Sequence, residues 1–345
     1  MTPWSPPAPA ITPVPGAPEA APGYYGIPVV HKAHWGWLIV AYFYLGGIAG
    51  GAFVVAAVAH LVGPEEDRRV VRAGRYVSLA ALLPCPVLLV LDLGRPGRFW
   101  RMLSTVRWRS PMSTGSWGIT VFGLFSASAA VIQAAEDGLL GRGRVRGAAR
   151  GLPAGAIAAA GTPFAFFVAG YTGVLLAATA VPLWFKNALL MGPLFLGSAL
   201  SNGTAAVSLA LAVVPGTPAA TQARLAQLEQ ATAVAELAVL GASRARLGET
   251  AAPLTKGRLG ALVRYGVVGT GLVAPMAIRA VSHRGGRRPA RTTTATAATL
   301  TLIGGFLLRY AAVAGGQRSA DDPAATFAMT RSAQRPDAAP GASRR

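Results

Sequence analysis

Residues 35–61 have the sequence WGWLIVAYFYLGGIAGGAFVVAAVAHL, an apolar run without acidic residues, lysine or arginine. It is longer than the roughly 20 residues needed to cross a hydrocarbon core about 30 Å thick. Inside lipid every backbone N–H and C=O needs an internal partner, so a spanning segment is a helix or part of a closed barrel. The run lacks the alternating polarity of a barrel strand. It therefore predicts a transmembrane helix.

The rest of the chain repeats this pattern. Hydrophobic residues make up 52% of the sequence and charged residues 13%, with a mean hydropathy of +0.45. A soluble domain carries about 25% charged residues, so that class is excluded. We predict an all-α integral membrane bundle of about eight helices. The predicted spans are residues 35–61, 76–91, 117–135, 154–182, 189–214, 225–245, 259–281 and 294–315.

The sixth of these segments, residues 225–245, is short of large apolar side chains. Glu229 and Glu236 are seven residues apart and therefore share one face of a helix. Such a helix is compatible with a position at the membrane surface. We favour the alternative, a span packed inside the bundle with its carboxylates turned away from lipid.

The two ends of the sequence differ from the membrane region. Residues 1–30 are rich in proline and alanine and predict a flexible leader, without the pattern of a cleaved signal peptide. Residues 318–345 are polar and predict a disordered tail. The predicted transmembrane domain is residues 31–317.

The formal net charge is +19, with a pI of about 11.5. In a soluble protein this would suggest nucleic-acid binding. Here most arginines lie in connectors between apolar runs, where they can meet anionic lipid headgroups. We therefore predict membrane lipid, and no nucleic acid, as the partner of this charge.

Cysteine and histidine usage limits the cofactors that this protein can hold by itself. Cys85 is the only cysteine, which excludes an internal disulfide, a four-thiolate iron–sulfur cluster and a cysteine-rich zinc site. His34 and His60 are separated by one whole span, about 39 Å at 1.5 Å per residue. Because His31 and His283 lie in connectors, no pair of axial haem ligands is predicted, and no metal site.

Three polar residues, at the start, at the end and in the middle of predicted spans, are candidates for contact with a redox-active ligand. His34, before the first span, is either an interfacial residue of an aromatic belt or a proton donor and acceptor to a quinone. Asp92 forms an ion pair with Arg95 or Arg98, takes up and releases a proton near a quinone, or does both, since the two roles are compatible. Tyr171 lies within a span and needs a hydrogen-bond partner, either a backbone carbonyl or a quinone oxygen.

Arg309 lies within a couple of turns of the end of the last span. Its long side chain favours snorkelling to the interface. The alternative is an ion pair in the interior with Glu236 or Glu229.

Four stretches together resemble the NrfD/PsrC-like polysulfide reductase membrane-subunit family, in order over about residues 24–317. The aspartate-to-serine loop of residues 91–118 is the most specific of them. The stretches are YFYLGGIAGGAF (42–53), LDLGRPGRFWRMLSTVRWRSPMSTGSWG (91–118), GYTGVLL (170–176) followed by Pro182–Leu183–Trp184, and GGFLLRYAAVAGGQ (304–317).

The resemblance implies two four-helix bundles in the prokaryotic inner (plasma) membrane, with no haem and no iron–sulfur cluster in this protein. It implies a site for menaquinone or ubiquinone near one membrane face. A four-cluster ferredoxin-like iron–sulfur subunit would dock there and connect to a molybdopterin catalytic subunit. His34, Asp92 and Tyr171 match the quinone-binding positions of the family. Glu236, with Arg309 and Arg95 as further candidates, is implied as a proton-path or ion-pair residue.

These observations favour a quinone-binding membrane anchor of a multi-subunit oxidoreductase, whose own status as an enzyme stays open. A secondary transporter would require inverted repeats and broken helices that meet at the midplane, and no such repeat is found. A purely structural anchor, which binds the partner but no quinone, is the remaining alternative, because the loop within residues 91–118 would bind the partner in either case.

Overall fold

The computed structural model describes residues 35–107, 109–141, 143–214, 216–284 and 290–321. His34, the leader of residues 1–30 and most of the predicted tail lie outside these described residues. Residues 318–320, assigned to the tail from the sequence, form the last turn of a helix.

All regular secondary structure in the described part of the protein is helical, which confirms the all-α prediction. The first helices are α1 (Trp37–Val62), α2 (Arg68–Leu82), α3 (Pro84–Asp92), α4 (Phe99–Ser104), α5 (Pro111–Glu136), α6 (Arg144–Arg150) and α7 (Ala154–Ala177). They are followed by α8 (Pro182–Lys186), α9 (Ala188–Val213), α10 (Ala219–Leu247), α11 (Ala252–Thr255), α12 (Gly257–Ala261), α13 (Ala274–Arg284) and α14 (Arg291–Ala320).

Within the described ranges, 7 helical segments are long and apolar enough to cross a membrane. They are α1, the α2–α3 segment, α5, α7, α9, the segment from α12 to α13, and α14. The membrane bundle predicted from the sequence is thereby confirmed. The eighth long helix, α10, has 29 residues but is more polar than these. It packs along α9 and buries both Glu229 and Glu236.

Successive spans run in opposite directions, which places the functional regions at defined membrane faces. We call the face at which α1 begins and α3 ends the loop face, because the connector of residues 93–110 lies there. The opposite face, at which α1 ends and α2 begins, is the far face. The second span bends between α2 and α3 at Pro84, whose ring nitrogen cannot donate a helical hydrogen bond.

The helices form two halves that meet along α1 and α9. In the first half α1 packs against α2, α3 and α7, and α5 against α2 and α7; in the second half α14 and α10 pack on α9. The contact between α1 and α9 is close because Gly51 and Gly203 face each other's backbones. A Cβ on Gly203 would overlap the backbone of Gly51 and Ala52, so the two central helices depend on glycine there.

The span from α12 to α13 contains a π-helical stretch, Leu262–Val273, ahead of Pro275. Gly271 in this stretch meets Gly304 of α14 backbone to backbone. The wider turn and the missing side chains allow α14 to lie deep in the second half, where it carries Arg309 into the interior.

Candidate functional site

A cavity of about 410 Å³ opens among α3, α5 and α7 at the loop face. Its volume lies within the roughly 300–1,000 Å³ range of small-molecule pockets. Most of its wall is apolar, so it suits a largely hydrophobic ligand. The apolar lining includes Leu79, Leu82, Leu83, Pro86, Leu89, Val90, Leu93, Phe99, Met112, Ile119 and Leu175.

Two phenols project into this apolar space. The Tyr171 hydroxyl donates a hydrogen bond to the Pro111 carbonyl oxygen. Its ring stacks on Phe167 with centroids 4.4 Å apart and planes inclined by 24°. The space for the ring depends on Gly115, since a Cβ there would lie 2.8 Å from the Tyr171 Cε1 atom. Tyr171 therefore lies in the cavity wall, held by α5.

Tyr42 of α1 is the second phenol, and the sequence analysis did not single it out. Its side chain is buried and lines the cavity, yet no described residue forms a hydrogen bond with its hydroxyl. A buried phenol normally has a partner. The free hydroxyl is thus available to a bound ligand. The one signal for it in the sequence is its place at the start of the YFYLGGIAGGAF stretch.

Two aliphatic hydroxyls of α5 also line the cavity. Ser116 and Thr120 donate to the carbonyl oxygens of Met112 and Ser116 at 2.9 and 2.8 Å. Their donors are used within the helix, but their oxygens can still accept a hydrogen bond. Together with the phenols they give an apolar pocket a small number of directed polar contacts.

Asp92 ends α3, one residue before the lining residue Leu93, and is not itself among the residues that line the cavity. Its side chain is partly buried, and among the described residues neither Arg95 nor Arg98 forms an ion pair with it. The described residues therefore do not show the ion pair of Asp92 with Arg95 or Arg98 that the sequence suggested. Gly94 has a φ of +57°, and this left-handed conformation turns the backbone away just after Asp92.

An open, basic basin of about 520 Å³ adjoins the cavity on its aqueous side and shares Leu93 and Met112 with it. Arg98, Arg101 and Arg107 line this basin. Three guanidinium groups at one site give the loop face a local positive potential. The basin can therefore attract an acidic surface to the entrance of the cavity.

The remaining candidates from the sequence lie elsewhere. Arg309 is 0% exposed and donates to the Ser198 Oγ and the Gly305 carbonyl oxygen at 2.5 and 3.1 Å. It therefore does not snorkel to the interface. Glu236, on α10, has Arg309 and the Ser198 hydroxyl as its polar neighbours. This cluster belongs to the second half, whereas Arg95 is exposed on the connector at the loop face.

The structure thus places Tyr171 in the wall of the cavity and Asp92 one residue before the lining residue Leu93, and it separates Glu236 and Arg309 from the cavity. His34 lies outside the described residues, but its neighbour Trp35 stacks on Trp184 with ring centroids 5.3 Å apart. This contact fixes the start of the first span at the loop face. Among the described residues no group of three histidine, cysteine or acidic side chains is arranged to hold a metal ion.

Comparison with known proteins identifies the family of this protein. The family model described as "Polysulphide reductase, NrfD" matches residues 29–320. Protein NrfD of Escherichia coli is 27% identical over 317 aligned residues, which cover 82% of this protein and 95% of that relative.

Two further relatives match over shorter stretches. A selenate reductase subunit of Mesobacillus selenatarsenatis is 28% identical over 88 residues, or 26% of the present sequence. A polysulfide reductase polypeptide of Wolinella succinogenes is 29% identical over 84 residues, or 24% of the present sequence. The matched stretches span only 20% and 26% of those two relatives.

Proposed function

Because this protein belongs to the NrfD polysulphide reductase family, we propose that it is the quinone-reactive membrane subunit of a multi-subunit oxidoreductase. Two relatives are named as parts of a selenate reductase and of a polysulfide reductase. In this proposal the protein exchanges electrons between the quinone pool and the iron–sulfur clusters of a partner. Its apolar helices, together with its family, make it an integral protein of the inner membrane.

The observation that carries the proposal is the phenol-lined apolar cavity at the loop face. A quinone is a flat, mostly apolar molecule with two carbonyl oxygens, and it needs hydrogen-bond donors at those oxygens. The free hydroxyl of Tyr42 is one such donor. The Tyr171 hydroxyl is a second, once it turns from the Pro111 carbonyl to the ligand. Leu83 and Pro86 of the bent second span lead from the cavity to the lipid, where an isoprenoid tail would lie.

Reduction of a quinone to a quinol takes two electrons and two protons, and oxidation of the quinol releases them. We infer that Asp92, one residue before the lining residue Leu93, supplies or removes one of these protons, since its carboxylate has no competing ion pair among the described residues. His34, immediately before Trp35, is the second candidate for this exchange at the same face. Tyr171 orients the headgroup.

The electrons come from or go to a partner, because this protein has a single cysteine and no haem-ligand pair. We propose a four-cluster ferredoxin-like iron–sulfur subunit, which in turn serves a molybdopterin subunit. The arginine-lined basin beside the cavity supports docking of an acidic surface there. Such docking would bring a cluster close to the quinone.

The test is binding of a quinone-site inhibitor or a short-chain menaquinone to the purified full-length protein, followed by quenching of tryptophan fluorescence. We expect saturable binding, weakened about three- to tenfold by Tyr171→Phe, because one hydrogen bond contributes about 0.5–1.5 kcal/mol. Tyr265→Phe is the matched control, since Tyr265 is 67% exposed on the other half of the bundle.

Absence of saturable binding in folded protein would overturn the proposal and leave a purely structural anchor. Equal affinity of Tyr171→Phe and the wild type would remove Tyr171 from the site while leaving the cavity as the binding place.

A further inference from the structure

A small polar pocket lies in the second half of the bundle, at the far face and thus away from the quinone cavity. Its volume is about 40 Å³, and it is enclosed by α9, α10, α13 and the start of α14. A water molecule needs about 10–15 Å³ of such volume, so the pocket accommodates about three of them. Its polar lining consists of Ser208, Thr217, Gln222, Glu229, Arg279, Ser282, Arg291, Thr293 and Thr294.

Glu229 closes the inner end of this pocket. Its side chain is 3% exposed, and its Oε2 atom forms an ion pair with Arg279 Nη2. The second oxygen, Oε1, has no hydrogen-bond partner among the described residues, and the same is true of Thr217 Oγ1 in the same pocket. Buried polar atoms without partners cost several kcal/mol in an apolar environment. Water in the pocket would satisfy both atoms.

The charges around the pocket decide what it admits. Glu229, Arg279 and Arg291 are the titratable groups that line it, one on each of α10, α13 and α14. Two guanidinium groups against one carboxylate disfavour a metal cation. The carboxylate and the small volume disfavour a larger anion. Water and its protons remain as the species that fit.

We propose that this pocket is a water-filled inlet through which Glu229 exchanges protons with the aqueous phase at the far face. A proton delivered by water binds to Oε1 and gives a neutral carboxyl group, while Oε2 stays in contact with the Arg279 guanidinium group. The reverse step returns the proton to water. Arg279 thus holds one oxygen and leaves the other as the accepting atom. This exchange is independent of quinone binding in the other half.

The inlet points toward a second group of the same composition. Glu236 lies seven residues further along α10, about 10 Å deeper in the membrane. Its neighbours Arg309 and Ser198 correspond to Arg279 and Ser208 beside Glu229. Between the two groups, on α9, the Ser201 Oγ and Asn202 Oδ1 atoms also lack hydrogen-bond partners among the described residues. The polar line therefore continues from the far face to the middle of the bilayer.

The experiment is difference infrared spectroscopy of the full-length protein in lipid nanodiscs after a jump to lower pH. We expect the carbonyl band of a newly protonated carboxyl group, lost in Glu229→Gln and kept in Glu236→Gln. Ala212→Phe fills the pocket without touching the ion pair, and it should slow the appearance of this band by about tenfold or more, since it raises the barrier for the proton.

Val213→Phe is the matched control, because Val213 is the next residue of α9, is 76% exposed and does not line the pocket. Thermal unfolding of every variant is measured first, and Glu229→Asp replaces a Gln variant that fails to fold. The proposal is overturned if the spectra of wild type and Glu229→Gln agree at every pH at which both stay folded. Equal rates in the Ala212→Phe and Val213→Phe variants would equally overturn it, since Glu229 would then reach water by another route.

Discussion

At the scale of single residues, the two phenols of the cavity are not equivalent. The Tyr171 hydroxyl has to give up its bond to the Pro111 carbonyl oxygen when it binds a ligand, whereas the Tyr42 hydroxyl has no described partner to lose. Tyr42→Phe should therefore weaken quinone binding more than Tyr171→Phe, by about tenfold against the wild type. Titration of both variants with the same inhibitor checks the order, and a larger loss in Tyr171→Phe would contradict it.

Gly115 leaves the space in which the Tyr171 ring lies, and it therefore determines the shape of the cavity. Gly115→Ala would bring a Cβ to 2.8 Å from the Tyr171 ring, so the ring has to move into the ligand space. We expect quinone affinity to fall about tenfold, which corresponds to about 1.4 kcal/mol. Leu124→Phe is the control on the same helix, because Leu124 is 67% exposed and does not line the cavity. Similar losses in both variants would point to a general disturbance of α5.

Arg309 is a buried positive charge, and we expect its polar neighbours to contribute to the stability of the fold. It is enclosed by Ser198, Gly305 and the Phe195 ring, whose centroid is 5.4 Å from the guanidinium carbon. Arg309→Met would remove the hydrogen bonds to Ser198 and Gly305 and the positive charge near the buried Glu236 carboxyl group. We expect a clear drop in the thermal unfolding temperature of the detergent-solubilised protein, partly restored by adding Glu236→Gln. Arg258→Met, at an exposed position, is the control.

At the scale of helices, the contact between α1 and α9 requires glycine at Gly203, whereas no contact of α10 requires glycine at Gly241. Gly203→Ala would push its Cβ into the backbone of α1, whereas nothing lies within 4 Å of a Cβ at Gly241. We expect Gly203→Ala to lower the unfolding temperature and the yield of folded protein. Gly241→Ala should be neutral or stabilising by up to about 1 kcal/mol, because alanine favours a helix. Equal stability of the two variants would mean that the central helices can separate without loss.

The helices also show how far the sequence determines the fold. Apolar runs identify a spanning helix directly, because lipid solvates the whole run, and seven segments meet that criterion in the described ranges. The α10 helix does not, because it is more polar, and the buried partner of Glu229, Arg279, cannot be identified from a single sequence. The candidate site residues also divide into those that the sequence reveals and those that only the packed structure reveals. Asp92 and Tyr171 stand out as polar residues at span ends or interiors, whereas the free hydroxyl of Tyr42 and the pocket at Glu229 emerge only once helices distant in sequence are packed together.

At the scale of the whole molecule, the two halves hold different cavities at different faces. The first half holds the phenol-lined cavity at the loop face, and the second half holds the carboxylate inlet at the far face. If both proposals hold, quinone exchange and proton exchange are separable. A cavity variant such as Tyr42→Phe should leave the infrared band of Glu229 unchanged, and Glu229→Gln should leave inhibitor affinity unchanged.

The basin at the loop face gives the last prediction, because it concerns how the molecule meets another. Arg98, Arg101 and Arg107 form a concentrated positive site beside the cavity, open to water and thus screened by salt. Replacing all three with glutamine should reduce electron transfer with the partner at low ionic strength and flatten its salt dependence, while inhibitor affinity stays unchanged. Arg144, Arg146 and Arg150, on α6 at the far face, provide a triple control of equal charge. The measurement is the rate of quinol turnover in the assembled complex at several salt concentrations. Equal losses in both triple variants would contradict docking at the basin, since the effect would then come from net charge.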